Sequence, residues 1–347
     1  MGNAKEKKSI YIVHSVKGGS GKTAFSLFKS IELAIQEKKT RGTKANIANV
    51  LYVDADFKGS ATKTLLYGKD CSAFQTMNEI TLDDITDMVE QDVPPMVGLA
   101  YAHNYQPKTI NDFFRGKESF VKEVITNGGL YFDFDEHDSK LCASLDFAFS
   151  SPRANDKKMF YYEAGEEALP LLNIGWYRVK IGQFLDQLLK DAKYDHIVID
   201  MPPGDDEYSR ELIKVLDTFY INNKVNLYWY SVTTNDDGHL DSECEDLLQR
   251  LRPDSRREPY NQYVMVYNEL NDGEFNEATI NSCVTQLREL LKSSADISET
   301  NIKYLKNVFC RQYYQFCRKD KRGLEKKSRG YFYNWEIGTE KSIFDEK

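Results

Sequence analysis

Ile10-Tyr11-Ile12-Val13-His14-Ser15-Val16-Lys17-Gly18-Gly19-Ser20-Gly21-Lys22-Thr23 is the stretch whose reading decides the fold. A short apolar run enters a glycine-rich turn, and the turn enters Lys-Thr and an amphipathic segment. Phosphate binding by backbone needs that order. A strand delivers the loop, glycines let successive N–H groups face inward without Cβ clashes, and a helix then starts with unpaired N–H groups and its positive dipole end at the anion. In such a loop Lys22 reaches β- and γ-phosphate oxygens, and the Thr23 hydroxyl ligates Mg²⁺.

The spacing departs from the common G-x-x-x-x-G-K-[ST] pattern, because Val16 stands where the first glycine belongs and a second lysine, Lys17, precedes Gly18, Gly19, Ser20 and Gly21. This resembles the deviant Walker A loop of the ParA/MinD family of P-loop ATPases, closest to its ParA form. The resemblance implies an α/β fold with a doubly wound, mostly parallel sheet. It also implies ATP and Mg²⁺ as ligands, with Lys17 crossing the interface of an ATP-sandwiched homodimer to the partner subunit's nucleotide.

Outward from the loop, Ala24, Phe25, Leu27, Phe28, Ile31, Ala34 and Ile35 recur at helical spacing and predict a helix to about Glu37, with Gly42 able to stop it. Residues 47–53 read as a buried strand ending in Asp54-Ala55-Asp56. Ligands of a doubly wound sheet sit at the carboxyl ends of its strands, where these acids lie. ParA-like proteins carry their switch I here; this chain keeps Asp56, Gly59, Ala61 and Thr62 but has Phe57 and Lys58 for the usual Pro and Gln. By that likeness Asp56 orients the attacking water and Asp54 lies near the metal. Strand-end capping is the alternative for both acids.

A helix predicted over Tyr177–Lys193 leads into Tyr194-Asp195-His196-Ile197-Val198-Ile199, read as a strand with an apolar end, then Asp200 and the turn Met201-Pro202-Pro203-Gly204. This matches the family's Walker B and switch II, so Asp200 is a candidate to hold Mg²⁺. Further elements are a strand at 225–232, a helix at about 238–251 and a strand at 263–267 that ends in Asn268. The resemblance makes Asn268 an adenine reader, since an amide matches both donor and acceptor edges of that base; a turn residue is the plainer reading. Asn223-Lys224-Val225-Asn226 misses the Asp of the guanine-reading N-K-x-D pattern, which favours ATP over GTP.

The resemblance covers residues 8–64 and 145–270, read as the ATPase core. Residues 65–144 read as an inserted acidic α+β lobe: 71–140 carry 13 acidic against 5 basic side chains, a net of −8. Thr109-Ile110-Asn111-Asp112 predicts a capped helix through about Thr126, and 130–134 and 145–149 read as strands. Residues 271–347 read as a helical, basic and aromatic extension. Within it, 311–329 hold eight Lys or Arg against Asp320 and Glu325, a net of +6, with Tyr313, Tyr314 and Phe316 interleaved. Non-specific DNA contact, a protein partner and a plain solvated helix are all open for that stretch.

The chain has 347 residues, 41% apolar and 29% charged, with a formal net charge of −8, which argues against wholesale coating of nucleic acid. Its six cysteines include no C-x-x-C pair, so neither a zinc ribbon nor a thiol redox motif is indicated. The first residues have no apolar core of a signal peptide, and no run approaches the ~18 apolar residues of a membrane span, so a cytoplasmic protein is expected. The function expected is an ATP-hydrolysing, dimerising switch that positions or partitions DNA or a protein cargo. The alternatives are a metabolic or metal-cluster-related enzyme on the same scaffold, or a MinD-like membrane-positioning ATPase.

Overall fold

The computed structural model describes residues 7–41, 49–56, 61–62, 108–126, 145–150, 173–191, 193–222, 224–234, 237–251, 260–269, 281–286, 288–289 and five strands beyond residue 301. In chain order these residues form β1 (Lys8–His14), α1 (Lys22–Arg41), β2 (Val50–Asp54), α2 (Ile110–Phe114), β3 (Ile125–Thr126), β4 (Asp146–Ala148), α3 (Ile174–Lys190), β5 (His196–Asp200), α4 (Glu207–Ile221), β6 (Val225–Thr234), α5 (Asp237–Arg250) and β7 (Gln262–Glu269). The last part adds β8 (Ile302–Cys310), β9 (Tyr314–Lys319), β10 (Glu325–Gly330), β11 (Asn334–Glu336) and β12 (Lys341–Ser342). Mostly parallel strands alternating with helices give the α/β, doubly wound class expected. Two compact units divide the chain.

The first unit comprises Met1–Ser26, Ile199–Arg311 and Tyr333–Lys347. Its strands run β11-β8-β7-β6-β1, with β12 also on β8. β1, β6, β7 and β8 are all parallel, and β11 and β12 close the β8 side antiparallel. Six of the seven β1 residues are buried, as a strand inside a parallel sheet requires. Ile10, Ile12, Leu227, Trp229, Met265 and Val266 are fully buried, each contributing about 1.5–3 kcal/mol. The register sets His14 opposite Ser231 and Thr234 opposite Asn268, so loop residues and Asn268 emerge from the same ends of their strands.

The second unit comprises Leu27–Val198 and Gln312–Phe332. Its strands run β5-β2-β4-β3, with only the His196–Val198 part of β5 in this unit, β2 and β4 parallel and β3 antiparallel to β4. Val50, Leu51, Tyr52 and Phe147 fill its core, and Phe184 of α3 meets Phe113 of α2 edge to face at 5.8 Å. α3 starts at Ile174, earlier than predicted, because the Asn173 side chain accepts from the N–H groups of Gly175 and Trp176.

Two expectations are corrected. The helix predicted from Thr109 to about Thr126 stops at Phe114, although its start is as read, with the Asp112 carboxylate accepting from the Thr109 N–H at 3.0 Å. Gly116 adopts φ +75°, and the N–H groups of Gly116 and Lys117 turn back to the carbonyls of Phe113 and Asp112, a Schellman stop. Among the described residues of 271–347, strands take the place of most of the helical extension expected. Residues 281–286 are helical, but Ile302–Cys310 pairs parallel with β7 over seven residue pairs, and β9 and β10 form an antiparallel ribbon. Pairing with an available sheet edge outweighed local preference there. The predicted strand at 130–134 and the switch positions 57–60 lie outside the described residues, as does all of 65–144 except 108–126.

A phosphate-loop candidate site in the first unit

β1 hands the chain to the loop at His14, and the loop is fastened on three sides. From the turn after β5, the N–H of Met201 donates to the Val13 carbonyl (3.0 Å) and that of Gly204 to the Ser15 carbonyl (2.9 Å). Within the loop, Ser20 Oγ donates to Ser15 Oγ (2.7 Å), which donates to the Lys17 carbonyl (2.5 Å). From the third side, the Asn268 amide nitrogen at the end of β7 donates to the Ser20 carbonyl (2.8 Å). Gly19 and Gly21 stand at φ +86° and +80°, a conformation that a side chain resists. A Cβ built at Gly18 or Gly19 meets nothing within 4 Å among the described residues, so the loop's glycine side is open to them. α1 then starts with the Phe25 N–H on the Gly21 carbonyl.

Lys22 is buried, and its ammonium lies 2.6 Å from Asp200 Oδ1, itself fully buried at the end of β5. The two residues that the resemblance assigns to phosphate and Mg²⁺ are therefore each other's partners. Thr23 follows at half-burial, its carbonyl accepting from Ser26 Oγ. Lys17 is turned onto its own chain, with Nζ 2.6 Å from the Gly238 carbonyl in the first turn of α5.

α5 supplies residues that sequence reading missed. The Val16 N–H donates to the carboxylate of Glu243, which is 1% exposed. Burial raises the Glu243 carboxyl to about 8, against the lowering effect of the Val16 N–H, with the nearby Asp246 charge adding to the rise. His14 is lowered to about 4, first by burial and then by the Arg250 charge. The legible signal was the helical stripe Leu240, Glu243, Cys244, Leu247, in which one acid occupies a core position.

Asp54 and Asp56 belong to the second unit and are both buried. Asp54 Oδ2 accepts from the Thr62 N–H (2.9 Å), Thr62 Oγ1 (2.6 Å) and Ser150 Oγ (3.1 Å). Ser150 Oγ also reaches the Asp56 carbonyl at 3.1 Å. Asp54 thus holds the end of β2 to the residues after β4. The first unit brings together Lys17, Gly18 to Thr23, Asp200 and Asn268.

No protein-family model matches the chain, and no curated protein matches it. Among solved structures it is similar to a plasmid partition protein from Borrelia burgdorferi, at 16% identity over 88% of this chain and 90% of that one, with a TM-score of 0.43. It is similar to another Borrelia burgdorferi structure, from strain B31 with AMPPNP bound, at 14% identity over 89% and 88%, with a TM-score of 0.43. A third is a chain of the MinC:MinD cell division protein complex of Aquifex aeolicus, at 15% identity over 82% and 78%, with a TM-score of 0.37. Plasmid partition proteins and the MinC:MinD complex are thus what this chain is similar to.

Proposed function

We propose that the chain binds Mg·ATP on the 17–23 loop and acts as an ATP-hydrolysing, dimerising switch that positions DNA or a protein cargo. The observation that carries this reading is the pairing of Lys22 with Asp200 at 2.6 Å beneath a loop whose glycine side is open. A lysine that gives up a carboxylate for phosphate leaves that carboxylate free for the cation accompanying the phosphate. The residues fit the group: Gly18 to Lys22 would supply N–H groups and a positive charge to phosphate, and Thr23 and Asp200 oxygen ligands to Mg²⁺. Bound Mg²⁺ would neutralise charge on the phosphates.

The chain's own residues would then work as follows. Lys22 leaves Asp200 for phosphate oxygen; the role of orienting the attacking water is Asp56's by the family resemblance alone. Lys17, released from Gly238, supplies a second cation, to the nucleotide of a partner subunit. Asn268 would read adenine only by giving up the Ser20 carbonyl; while it holds that carbonyl it is a brace of the loop.

Light scattering tests the dimer. With Mg·ATP the wild type should double in mass, and Lys17→Ala should bind ATP but remain single. A Lys17→Ala protein that dimerises as the wild type does removes Lys17 from this role.

A further inference from the structure

Under the loop, on the side of α5, three side chains in the first unit point metal-ligating atoms at one another. His14, Glu243 and Asp246 each offer one, and these atoms lie within 4.8 Å of each other. His14 and Glu243 are each 1% exposed. The His14 ring is fixed by its other nitrogen: Nε2 lies 3.1 Å from the Gly204 carbonyl. A carbonyl only accepts, so Nε2 carries the hydrogen, and in a neutral ring Nδ1 is then a bare lone pair. Among the described residues that lone pair has no hydrogen-bond partner, and it lies 4.0 Å from Asp246 Oδ2. Glu243 Oε2 is likewise without a hydrogen-bond partner among the described residues, while Oε1 takes the Val16 N–H. His14 Nδ1 and Glu243 Oε2 are thus buried acceptors that no hydrogen-bond donor among the described residues reaches, and Asp246 Oδ2 lies beside the ring.

We propose that His14 Nδ1, Glu243 and Asp246 form a site for a divalent transition-metal ion such as Zn²⁺ or Co²⁺, separate from the nucleotide's Mg²⁺ at Thr23 and Asp200. One imidazole and two carboxylates suit these ions, whereas Mg²⁺ prefers an all-oxygen set. The Gly204 carbonyl on Nε2–H is the supporting contact that metal-bound histidines usually have. Bonds of about 2.0–2.2 Å would draw the ligand atoms to roughly 3.3–3.5 Å apart, a closing that side-chain torsions can supply. Arg250 opposes the ion: its Nε donates to Asp246 Oδ2 at 2.7 Å and its guanidinium lies 3.9 Å over the Trp229 ring. Metal ligation needs both carboxyls ionised, and in that state two carboxylates against one guanidinium leave the site negative. A bound ion would keep Glu243 ionised and accepting from Val16, so it would tie α5 to the loop immediately before Lys17.

The test uses tag-free, nucleotide-free protein titrated with Co²⁺ and read by visible ligand-field absorption. One equivalent should bind, be displaced by Zn²⁺, and survive Asp200→Asn. His14→Gln and Glu243→Gln should each weaken binding at least tenfold, the least that loss of even a supporting contact costs. Urea melts of each variant identify any that is unfolded, and Asp246→Asn replaces it. Absence of a saturable band at millimolar Co²⁺ overturns the site, as does a band unchanged in the folded variants. Either failure leaves the Mg·ATP reading standing, because that rests on other residues.

Discussion

Replacing Lys22 by Met should destabilise the nucleotide-free protein, and the buried pair with Asp200 sets the size of the effect. The ammonium is 7% exposed and the carboxylate 0%, at 2.6 Å. Removing one partner of such a pair leaves a buried charge without its counter-charge and costs about 3–5 kcal/mol, whereas replacing both by apolar groups is often near neutral. Lys22→Met and Asp200→Leu should therefore each lower stability by a few kcal/mol, and the double variant should regain most of one loss. The coupling should exceed about 2 kcal/mol, well outside the ~0.5 kcal/mol scatter of independent sites. Equilibrium urea unfolding without nucleotide or Mg²⁺ measures all four corners of the cycle. A loss under about 1 kcal/mol for Lys22→Met, or additive single effects, would refute the pairing as a buried, desolvated one. The same cycle has a functional reading: phosphate must compete with Asp200 for Lys22, so Asp200→Asn should bind free phosphate groups of nucleotide without Mg²⁺ more tightly than the wild type.

Asp56→Ala should retain Mg·ATP but hydrolyse it slowly, so that the dimer persists; equal loss of ATP binding would make Asp56 a structural residue. In metal-free buffer, stability should fall between about pH 6.5 and 8. Glu243 is raised from 4.5 to about 8, so it contributes stability below the lower value that is lost as pH rises through the upper one. His14 is depressed from 6.5 to about 4, and its contribution is lost only as pH falls through that range, so above 6.5 Glu243 acts alone. The decline is up to about 2 kcal/mol, and Glu243→Gln should flatten it; parallel melts for both proteins would contradict this. Neutralising Arg318, Lys319, Lys321 and Arg322 together should abolish any Mg·ATP-dependent, salt-sensitive binding to duplex of arbitrary sequence in fluorescence anisotropy. Absence of binding by the wild type at low salt would leave a protein cargo.

What the sequence made legible was what local pattern controls. The run before Ser15, the glycines and Lys22-Thr23 announce strand, loop and helix within a few residues, and Asp200 follows an apolar run that can only be an inner strand. Pairing at long range was not legible. Nothing local in 302–310 says that β7 offers it a parallel edge, so its aromatic and basic neighbours were taken for a helix. The early stop of α2 was missed because Gly116 acts through its backbone angle, which a capping start at Thr109 does not reveal. His14 was missed because it ends an otherwise apolar strand, and Glu243 because it stands among Asp241, Glu245 and Asp246, where one more acid gives no sign of burial.

The claim on which all else depends is that the 17–23 loop takes Mg·ATP. Calorimetric titration of the nucleotide-free protein with Mg·ATP measures it directly. The account predicts saturable binding with one nucleotide per chain, weaker for GTP, and severely weakened in Lys22→Met under conditions where that variant is shown to be folded. No binding by the wild type, or equal affinity in a folded Lys22→Met, would contradict it.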